Sequence, residues 1–564
     1  MYKKSNIESD LDIFGNLTSF LSGPRLKKYE SPEEWHNLFR KQITAEIDES
    51  IFACLFDKDN GRPNAPIRQI ISMMILKEGH GWSDRELFEN INFNLLVRSS
   101  IGLYNLNDTA PCEATYYNLR RAIYIYQIEK GIDLIGELFS KLTKKEAISF
   151  DVNGKNLRMD STLMGSNIAK NSRLQLILNV ISVFYNDIKN QDSLLLKLTS
   201  EDIKLLDSLI KQKSGQLVYR LNSQEREDLL IQLGYLLIKL QSTYCEIDSE
   251  YYRLIVRVLQ DQYQIETDKI ELKSGKDISS GSLQSPFDED AEYRNKNGEV
   301  VQGFSYNGTE TCNEKGLNLI LNVEVQPATK SDDSFLEGGV NKSEEIVGNI
   351  GSLNVDGAYN SQDNQAFAKE KEIEVIYSGL QGKKGLYQFE IQEDGTVKVI
   401  NTETGNEYKA VEYKAGKYRI NDQGKTKYFT DKSIGSTLHR EKIENTDRKE
   451  KNRRNNVEAT MFQLKYYTRN GKTKYRGQIK NQIWAYCRSL WINLIRIKNY
   501  IKGGLCPNGS RNEEKIAFII YFGMLSSFIL ENIKNHNRLG LNIERKYKKE
   551  IFNATLLKHL KLSF

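Results

Sequence analysis

Apolar residues recur at helical spacing through the first quarter of the chain. The run I-R-Q-I-I-S-M-M-I-L-K begins after Pro66, and we expect this helix to end at Gly79. Ser83 and Glu86 form a capping-box pattern that predicts a second helix, S-D-R-E-L-F-E-N-I. A third amphipathic segment, A-T-Y-Y-N-L-R-R-A-I, follows. These patterns predict a module of short helices after a mixed N-terminal arm.

Strand-like runs appear further along the chain, and two of them close with aspartates. K-N-L-R-M-D closes with Asp160 and G-S-L-N-V-D closes with Asp356, so we expect both side chains where a strand ends. Further strands are predicted at residues 300–306 and 317–325, with a connecting helix at residues 330–344. Together these segments predict one sheet with helices packed on it.

Two long insertions interrupt that sheet. The first has helical periodicity from about Ser172 to Tyr263, with Thr199 and Ser223 as N-cap candidates and a leucine stripe that we interpret as core. The second follows Asp356 and contains the alternating runs Y-Q-F-E-I, T-V-K-V-I, K-Y-R-I and K-Y-F-T, broken by the turns E-D-G and N-D-Q-G. This alternation predicts a small antiparallel sheet.

The segment R-R-N-N-V-E-A-T-M-F-Q-L-K, from Arg453 to Lys465, has the most informative polar pattern. On a single helix, Arg454, Glu458 and Lys465 fall within roughly 40° of one line. The neighbouring stripe is apolar and consists of Val457, Met461 and Leu464. The segment therefore predicts a helix that packs on a core and presents a carboxylate between two cations.

Asp160, Asp356 and Glu458 together predict a metal site. Mg²⁺ prefers oxygen ligands and commonly binds a few carboxylates while retaining positions for water and phosphate. Two such ions about 4 Å apart can activate an attacking oxygen and stabilise a leaving oxygen. Taken singly, each carboxylate is more simply a solvated surface group, because the chain has 75 Asp and Glu residues. The alternative for Arg454 and Lys465 is an i, i+4 pair and a solvent-facing lysine.

In order and spacing, these residues resemble the DDE transposases of bacterial insertion sequences, whose catalytic domain has an RNase H-like fold. One branch of that family carries Tyr, two residues, Arg, three residues, Glu, six residues and Lys around the third acid. Arg454, Glu458 and Lys465 match the last three members. Lys451 stands at the Tyr position, so one DNA-end contact of the family is unmatched. R-M-D-S-T-L-M-G-S-N and N-V-D-G-A-Y resemble the first-acid and second-acid segments, and S-P-F-D-E-D-A-E-Y-R resembles a family segment ahead of the second strand.

The resemblance implies a transposase that cleaves the ends of an insertion sequence and transfers a strand into target DNA. Asp160, Asp356 and Glu458 would be the catalytic residues and would bind two Mg²⁺ ions, for which Mn²⁺ can substitute. Arg454 and Lys465 would bind DNA phosphate near the metals, the first as a bidentate fork and the second as a point charge.

The resemblance also implies partners for the protein. The partners would be double-stranded DNA, as element ends and as target, and a second copy of the chain, since two ends must be brought together. The N-terminal helices would bind DNA ends, with Arg120 and Arg121 as contacts on the third helix. The same helices equally fit a small bundle that recognises nothing.

We therefore predict an α/β protein with an RNase H-like mixed sheet flanked by helices, interrupted by a helical and a β-rich insertion and preceded by an all-α domain. The length of 564 residues agrees with several domains. The predicted boundaries are 1–50 for the arm, 51–145 for the helical DNA-binding domain, 146–170, 285–380 and 450–475 for the catalytic core, 171–284 for the mainly helical insertion, 381–449 for the β-rich insertion and 476–564 for a helical tail.

Charge is unevenly distributed, although the net charge is only +5. Residues 440–480 contain 13 Lys or Arg and 5 Asp or Glu, a surplus of 13 − 5 = 8. Aromatic residues lie among these cations, which predicts a phosphate-binding surface. Residues 440–451 alone are interpreted as a solvated face.

The remaining composition predicts a cytoplasmic protein without a membrane segment. The six cysteines are scattered and form no close pair that would indicate a zinc knuckle or a disulfide framework. The first residues have no signal-peptide pattern. The most apolar run, from Ile516 to Leu530, has 15 residues and is predicted to be a buried helix.

Three other functions are alternatives for the same pattern. An RNase H-like metal-dependent endonuclease would cleave DNA without strand transfer. A non-catalytic DNA-binding relic would bind the ends only. A large helical scaffold with no nucleic-acid partner is the least favoured, because the segment around Glu458 is basic.

Overall fold

The computed structural model describes residues 1–5, 12, 15–211, 215, 218, 220–266, 269–296, 298–380, 384–392 and 394–503. Residues Met1–Gly504 form one compact unit, to which everything below refers. The predicted helix from Ile516 to Leu530 lies outside the described residues, as does Cys506.

Short helices form the N-terminal part of the unit, as predicted. Their bounds are Gly23–Glu30 (α1), Trp35–Phe39 (α2), Ile67–His80 (α3), Asp84–Phe93 (α4), Leu95–Ser100 (α5), Glu113–Lys130 (α6) and Leu134–Ser149 (α7). The capping box at α4 is present, since the Ser83 hydroxyl accepts from the Glu86 amide and the Glu86 carboxylate accepts from the Ser83 amide. The predicted module is therefore helical, with its last helix reaching Ser149.

The end of α3 differs from the prediction. The helix continues through Gly79 to His80, and Gly81 terminates it with a φ of 70°. Gly79 is inside the helix for a packing reason, because a Cβ there would lie 2.4 Å from Cδ2 of Trp491. The absent side chain lets the indole ring pack directly on the helix backbone.

The first insertion is helical, as predicted, and closes with a β-hairpin. Its elements are Arg173–Lys189 (α8), Asp192–Leu195 (α9), Ser200–Lys211 (α10), Ser223–Thr243 (α11), Glu250–Gln262 (α12), Tyr263–Glu266 (β2) and Lys269–Leu272 (β3). Thr199 caps α10, because its hydroxyl accepts from the Asp202 amide. The prediction of Ser223 as an N-cap was one residue late, since the Asn222 side chain accepts from the Glu225 amide.

A mixed sheet forms the centre of the unit. Its strands are Asn156–Gly165 (β1), Glu292–Lys296 (β4), Glu299–Thr311 (β5), Ile320–Pro327 (β6), Ser352–Val355 (β7) and Glu374–Tyr377 (β8). The strand order is β4-β5-β1-β7-β8, and β6 also pairs with β5. β1 is antiparallel to β5 and parallel to β7, which is parallel to β8. Leu336–Val347 (α13) and Gln362–Glu370 (α14) provide the crossovers of the parallel part.

One prediction about this sheet was wrong. Asp160 does not end a strand, since β1 continues through it to Gly165. The strand is longer because its pairing with β5 runs from Leu157 to Gly165, with Ser161 opposite Asn307. Asp356 does directly follow β7, as predicted.

The second insertion forms two small antiparallel sheets instead of one. The strands of the first are Tyr387–Ile391 (β9), Val397–Asn401 (β10) and Glu407–Lys409 (β11). Those of the second are Val411–Lys414 (β12), Lys417–Asp422 (β13) and Lys425–Thr430 (β14), and Asp431–Asn445 (α15) follows. A shared core that includes Phe389, Val399 and Ile420 joins the two sheets.

The described chain ends with helices that return to the sheet. Their bounds are Arg448–Asn452 (α16), Val457–Lys465 (α17) and Gln478–Gly503 (α18). α18 is long and mostly buried, and it packs on α3 and β6. Among the helices that the structure describes, none combines the length and apolar composition needed to cross a bilayer.

Candidate active site

The three predicted acids converge on one guanidinium group. Arg454 Nη2 lies 3.3 Å from Asp160 Oδ1 and 3.6 Å from Asp356 Oδ2. Arg454 Nη1 lies 4.0 Å from Glu458 Oε1. Residues that are 196 and 102 positions apart along the chain (356 − 160 and 458 − 356) therefore share one cation.

Each acid comes from a different element. Asp160 lies in the middle of β1, and Asp356 caps the short turn after the neighbouring strand β7. Glu458 lies in the first turn of α17, which packs across β1. The Glu458 side chain is 67% exposed, whereas that of Asp160 is 15% exposed. The site therefore has one buried wall and one face that is open to a large substrate.

The helix around Glu458 differs in detail from the prediction. Arg454 lies in a 3-10 turn, Arg453–Asn456, and α17 begins only at Val457. Arg454 and Glu458 nevertheless keep their i, i+4 relation, because the turn continues directly into the helix. The predicted apolar stripe of Val457, Met461 and Leu464 is buried.

A glycine permits the close approach of α17 to the sheet. Gly308 of β5 lies opposite Asp160, and a Cβ at Gly308 would come within 2.5 Å of Met461 Cε. Without that side chain, Met461 fills the space beside the strand that carries the first acid. The local sequence, Y-N-G-T, gave no sign of this contact.

A buried ion cluster holds α17 on the sheet. No sequence pattern predicted this cluster. Glu310 Oε1 accepts from Arg158 Nε at 2.6 Å. Glu310 Oε2 accepts from Thr460 Oγ1 at 2.8 Å and lies 2.7 Å from Arg496 Nη1. Burial alone would raise the pKa of Glu310, but Arg496 and Arg158 hold it below its usual value. The carboxylate therefore remains charged and joins β1, β5, α17 and α18.

Two further contacts support the strand of the first acid and the turn that carries Arg454. Ser161, next to Asp160, donates to Asp332 at 2.7 Å. Arg158 Nη1 donates to the carbonyl oxygen of Arg453 at 3.1 Å, which fixes the turn that carries Arg454. Side chains of β1 therefore hold the turn that carries Arg454 and contact Asp332 next to the first acid.

Burial and Arg454 have the largest effects on the pKa of Asp160. Burial raises the pKa of Asp160, and the nearby charge of Arg454 opposes that rise. Burial lowers the pKa of Lys465, against a smaller opposing effect of Glu299. Lys465 is therefore partly covered near the β4–β5 hairpin and is not the fully solvent-facing lysine of the alternative interpretation.

The donor set fits Mg²⁺ in chemistry, because it consists of three hard carboxylate oxygen donors. Its present arrangement centres on Arg454, and among the described residues no three His, Cys, Asp or Glu side chains form a group that could hold a metal ion. The guanidinium thus provides the positive charge at this position. Its Nε is buried and has no hydrogen-bond partner within the described part of the chain.

The two arginines predicted on the N-terminal helices have different surroundings. Arg120 pairs with Asp84 at 3.9 Å, and its guanidinium lies over the Tyr116 and Tyr475 rings at 5.1 and 5.8 Å. It therefore ties the helical module to the segment after α17. Arg121 is exposed on the outer face of α6.

Residues 27–122 match the family model of a transposase domain, DUF772. This match supports a transposase family for the chain. It also supports, in general terms, a DNA-cleaving enzyme. The transposase domain extends from within α1 to within α6 and includes Arg120 and Arg121. No curated protein matches the chain.

Proposed function

We propose that the protein is a DDE transposase that cleaves the DNA ends of an insertion sequence and joins them to target DNA. The convergence of Asp160, Asp356 and Glu458 on one cationic group carries this proposal. The transposase domain supports the class of enzyme. The central sheet, with one acid on β1 and one directly after the adjacent strand β7, supports an RNase H-like catalytic core.

Asp160, Asp356 and Glu458 would hold two Mg²⁺ ions, which supply Lewis-acid activation of water or of a DNA 3′-hydroxyl when bound. Mn²⁺ would serve the same role. Because Arg454 now lies among the acids, its side chain would have to leave that position. The released guanidinium could then bind a phosphate oxygen of the DNA.

The DNA would reach the acids along their exposed side. A cleft of about 1010 Å³ begins at Gly357, directly after the second acid, and is closed on its far side by the β-rich insertion. The side chains that line the cleft are mostly polar. They include the cations Lys384, Lys432 and Arg440, the acids Glu441 and Glu444, and the amides of Asn360 and Gln365. Lys384 pairs with Glu444 at 2.6 Å. Such a polar wall, in which Lys432 and Arg440 supply cations besides the Lys384–Glu444 pair, suits a sugar–phosphate backbone. A homodimer on the DNA would bring two ends together.

Incubation of the full-length protein with Mg²⁺ and labelled duplexes that carry the DNA ends flanking its gene tests the proposal. Nicking at the end junction and joined products are expected from the wild type and not from Asp356→Ala or Glu458→Gln. Both variants should still bind the duplex. Cleavage without joining would indicate an endonuclease, and binding without cleavage would indicate a relic. Specific cleavage by Glu458→Gln would show that Glu458 is not one of the catalytic acids.

A further inference from the structure

Exposed aromatic side chains continue the surface that carries Glu458. Phe462 is 64% exposed and Tyr466 is 63% exposed, whereas the opposite face of α17 is buried. Phe462 is four residues after Glu458 and Tyr466 is eight, which corresponds to about 6 and 12 Å along the helix axis. The two rings form an edge-to-face pair with centroids 6.0 Å apart. They therefore form one continuous apolar surface beside the third acid.

Three aromatic residues of this segment are exposed, namely Phe462, Tyr466 and Tyr467, and the last of them also packs on the N-terminal helices. Tyr467 lies against Gly81, and the guanidinium of Arg488 lies 4.7 Å from its ring centroid. It is consequently a packing residue, although part of it is exposed. The stacking surface is therefore defined by Phe462 and Tyr466.

The segment that carries this surface and continues after it is rich in cations. Residues 459–480 contain six Lys or Arg and no Asp or Glu. Among the described residues, none of these six cations forms an ion pair within 4 Å of a carboxylate. Arg469 and Lys474 are exposed beyond the end of α17. The partner that fits is a polyanion with apolar faces, which describes a nucleic acid.

A phenyl ring restricts which part of a nucleic acid can be the partner. Phe462 has no hydrogen-bonding group, so it cannot bind a phosphate or recognise a base edge. Its favourable contact is with the face of a base, and a regular duplex hides base faces within the stack. Aromatic side chains beside a cationic track are characteristic of proteins that stack unpaired bases.

We propose that Phe462 and Tyr466 stack bases that are unpaired within a few nucleotides of the phosphodiester at the acids. The substrate would thus be a DNA end that is locally opened, with the exposed bases held on α17. This inference rests on the proposed function, because that function places the scissile phosphate at Glu458.

The test compares the wild type with the double variant Phe462→Ala/Tyr466→Ala on two DNA ends. One end is fully paired, and the other has three mismatched positions next to the cleavage site. Removal of both rings should reduce cleavage of the paired end about 10- to 100-fold. The mismatched end should be cleaved within about threefold of the wild-type rate, because it is already open.

Two control variants distinguish the loss of base stacking from damage to the protein structure. Tyr235→Ala removes a comparably exposed tyrosine, 51% exposed, from the helical insertion and should leave both substrates unaffected. Phe462→Tyr/Tyr466→Phe retains two rings and should behave as the wild type. Equal cleavage of the paired end by the double variant and the wild type would overturn the inference. Equal loss on both ends would also overturn it.

A binding measurement keeps the inference separable from the proposed function. Without divalent metal, fluorescence anisotropy should show that the wild type binds the mismatched end more tightly than the paired end, and that the double variant loses this preference. If the wild type cleaves neither end, the proposed function fails while this preference still decides the inference. No preference in the wild type would overturn it.

Discussion

The hydroxyl of Thr460 donates a hydrogen bond of 2.8 Å to the buried carboxylate of Glu310. Thr460 is two residues beyond Glu458, on the buried face of α17. Arg496 of α18 donates to the same hydroxyl at 2.6 Å. The contact therefore joins the helix of the third acid to the strand opposite the first acid, and it makes Thr460 a positioning residue.

Thr460→Val should keep the shape of the side chain and remove that hydrogen bond. We expect a loss of about 1–2 kcal/mol in stability, because Glu310 and Arg496 each lose a partner. Cleavage of a DNA end should fall about tenfold, whereas end binding, measured by anisotropy, should remain at the wild-type level. Thr460→Ser should restore cleavage. A valine variant with wild-type cleavage would show that the bond does not position Glu458.

Glu310→Ala should have a much larger effect on stability. It would leave the guanidinium groups of Arg158 and Arg496 without their carboxylate in the protein interior, which costs about 3–5 kcal/mol. Urea denaturation followed by circular dichroism measures this loss. The matched control is Glu314→Ala, since Glu314 pairs with Lys449 and Arg453 at the surface, where solvent screens the charges, and its loss should change stability little. Similar losses of stability in Glu310→Ala and Glu314→Ala would contradict the assignment of Glu310 to a buried, charged cluster.

Arg454→Gln should increase the affinity of the DNA-free protein for Mn²⁺. The guanidinium is within 4.0 Å of all three acids, so a metal ion has to compete with it for their oxygens. We expect at least a tenfold lower dissociation constant, measured by isothermal titration or by the electron paramagnetic resonance of free Mn²⁺. Arg453→Gln is the control, because Arg453 pairs with Glu314 and Asn156 outside the acids. Unchanged or weaker Mn²⁺ binding by Arg454→Gln would refute this competition.

Local patterns predicted the elements better than the contacts between them. The apolar stripe of Val457, Met461 and Leu464 identified the buried face of α17, because helical periodicity depends on neighbouring residues alone. The end of β7 at Asp356 was equally local, since the turn G-A-Y follows at once. The R-x3-E spacing also predicted the pair of Arg454 and Glu458.

The remaining features depend on long-range pairing. Glu310 lies in the polar run Y-N-G-T-E-T and its partners are Arg158, Thr460 and Arg496, the nearest of them 150 residues away. No periodicity connects such segments. The mid-strand position of Asp160 likewise follows from how far β5 pairs along β1. The predicted metal site grouped the three acids, but the position of Arg454 among them was not predicted.

Glu146 provides a prediction about pH. Its side chain is buried in α7, and both carboxylate oxygens have no hydrogen-bond partner within the described part of the chain. Burial raises the pKa of Glu146 from 4.5 to about 8. Between pH 4.5 and about 8, Glu146 therefore carries a proton in the folded protein but not in the unfolded chain. The stability associated with the neutral form is fully present below pH 4.5 and is lost as the pH rises through about 8.

Glu146→Gln should remove this pH dependence, because the amide does not ionise. At pH 7 we expect the variant to be more stable than the wild type by on the order of 3 kcal/mol, and the difference should shrink towards pH 4.5. Thermal unfolding of the variant and the wild type from pH 4.5 to 8.5 measures how the stability of each depends on pH. Glu137→Gln is the control, since Glu137 is an exposed partner of Lys141 on the same helix. Parallel slopes for Glu146→Gln and the wild type would mean that Glu146 is ionised in the folded protein, which would require the carboxylate to have a partner or access to solvent.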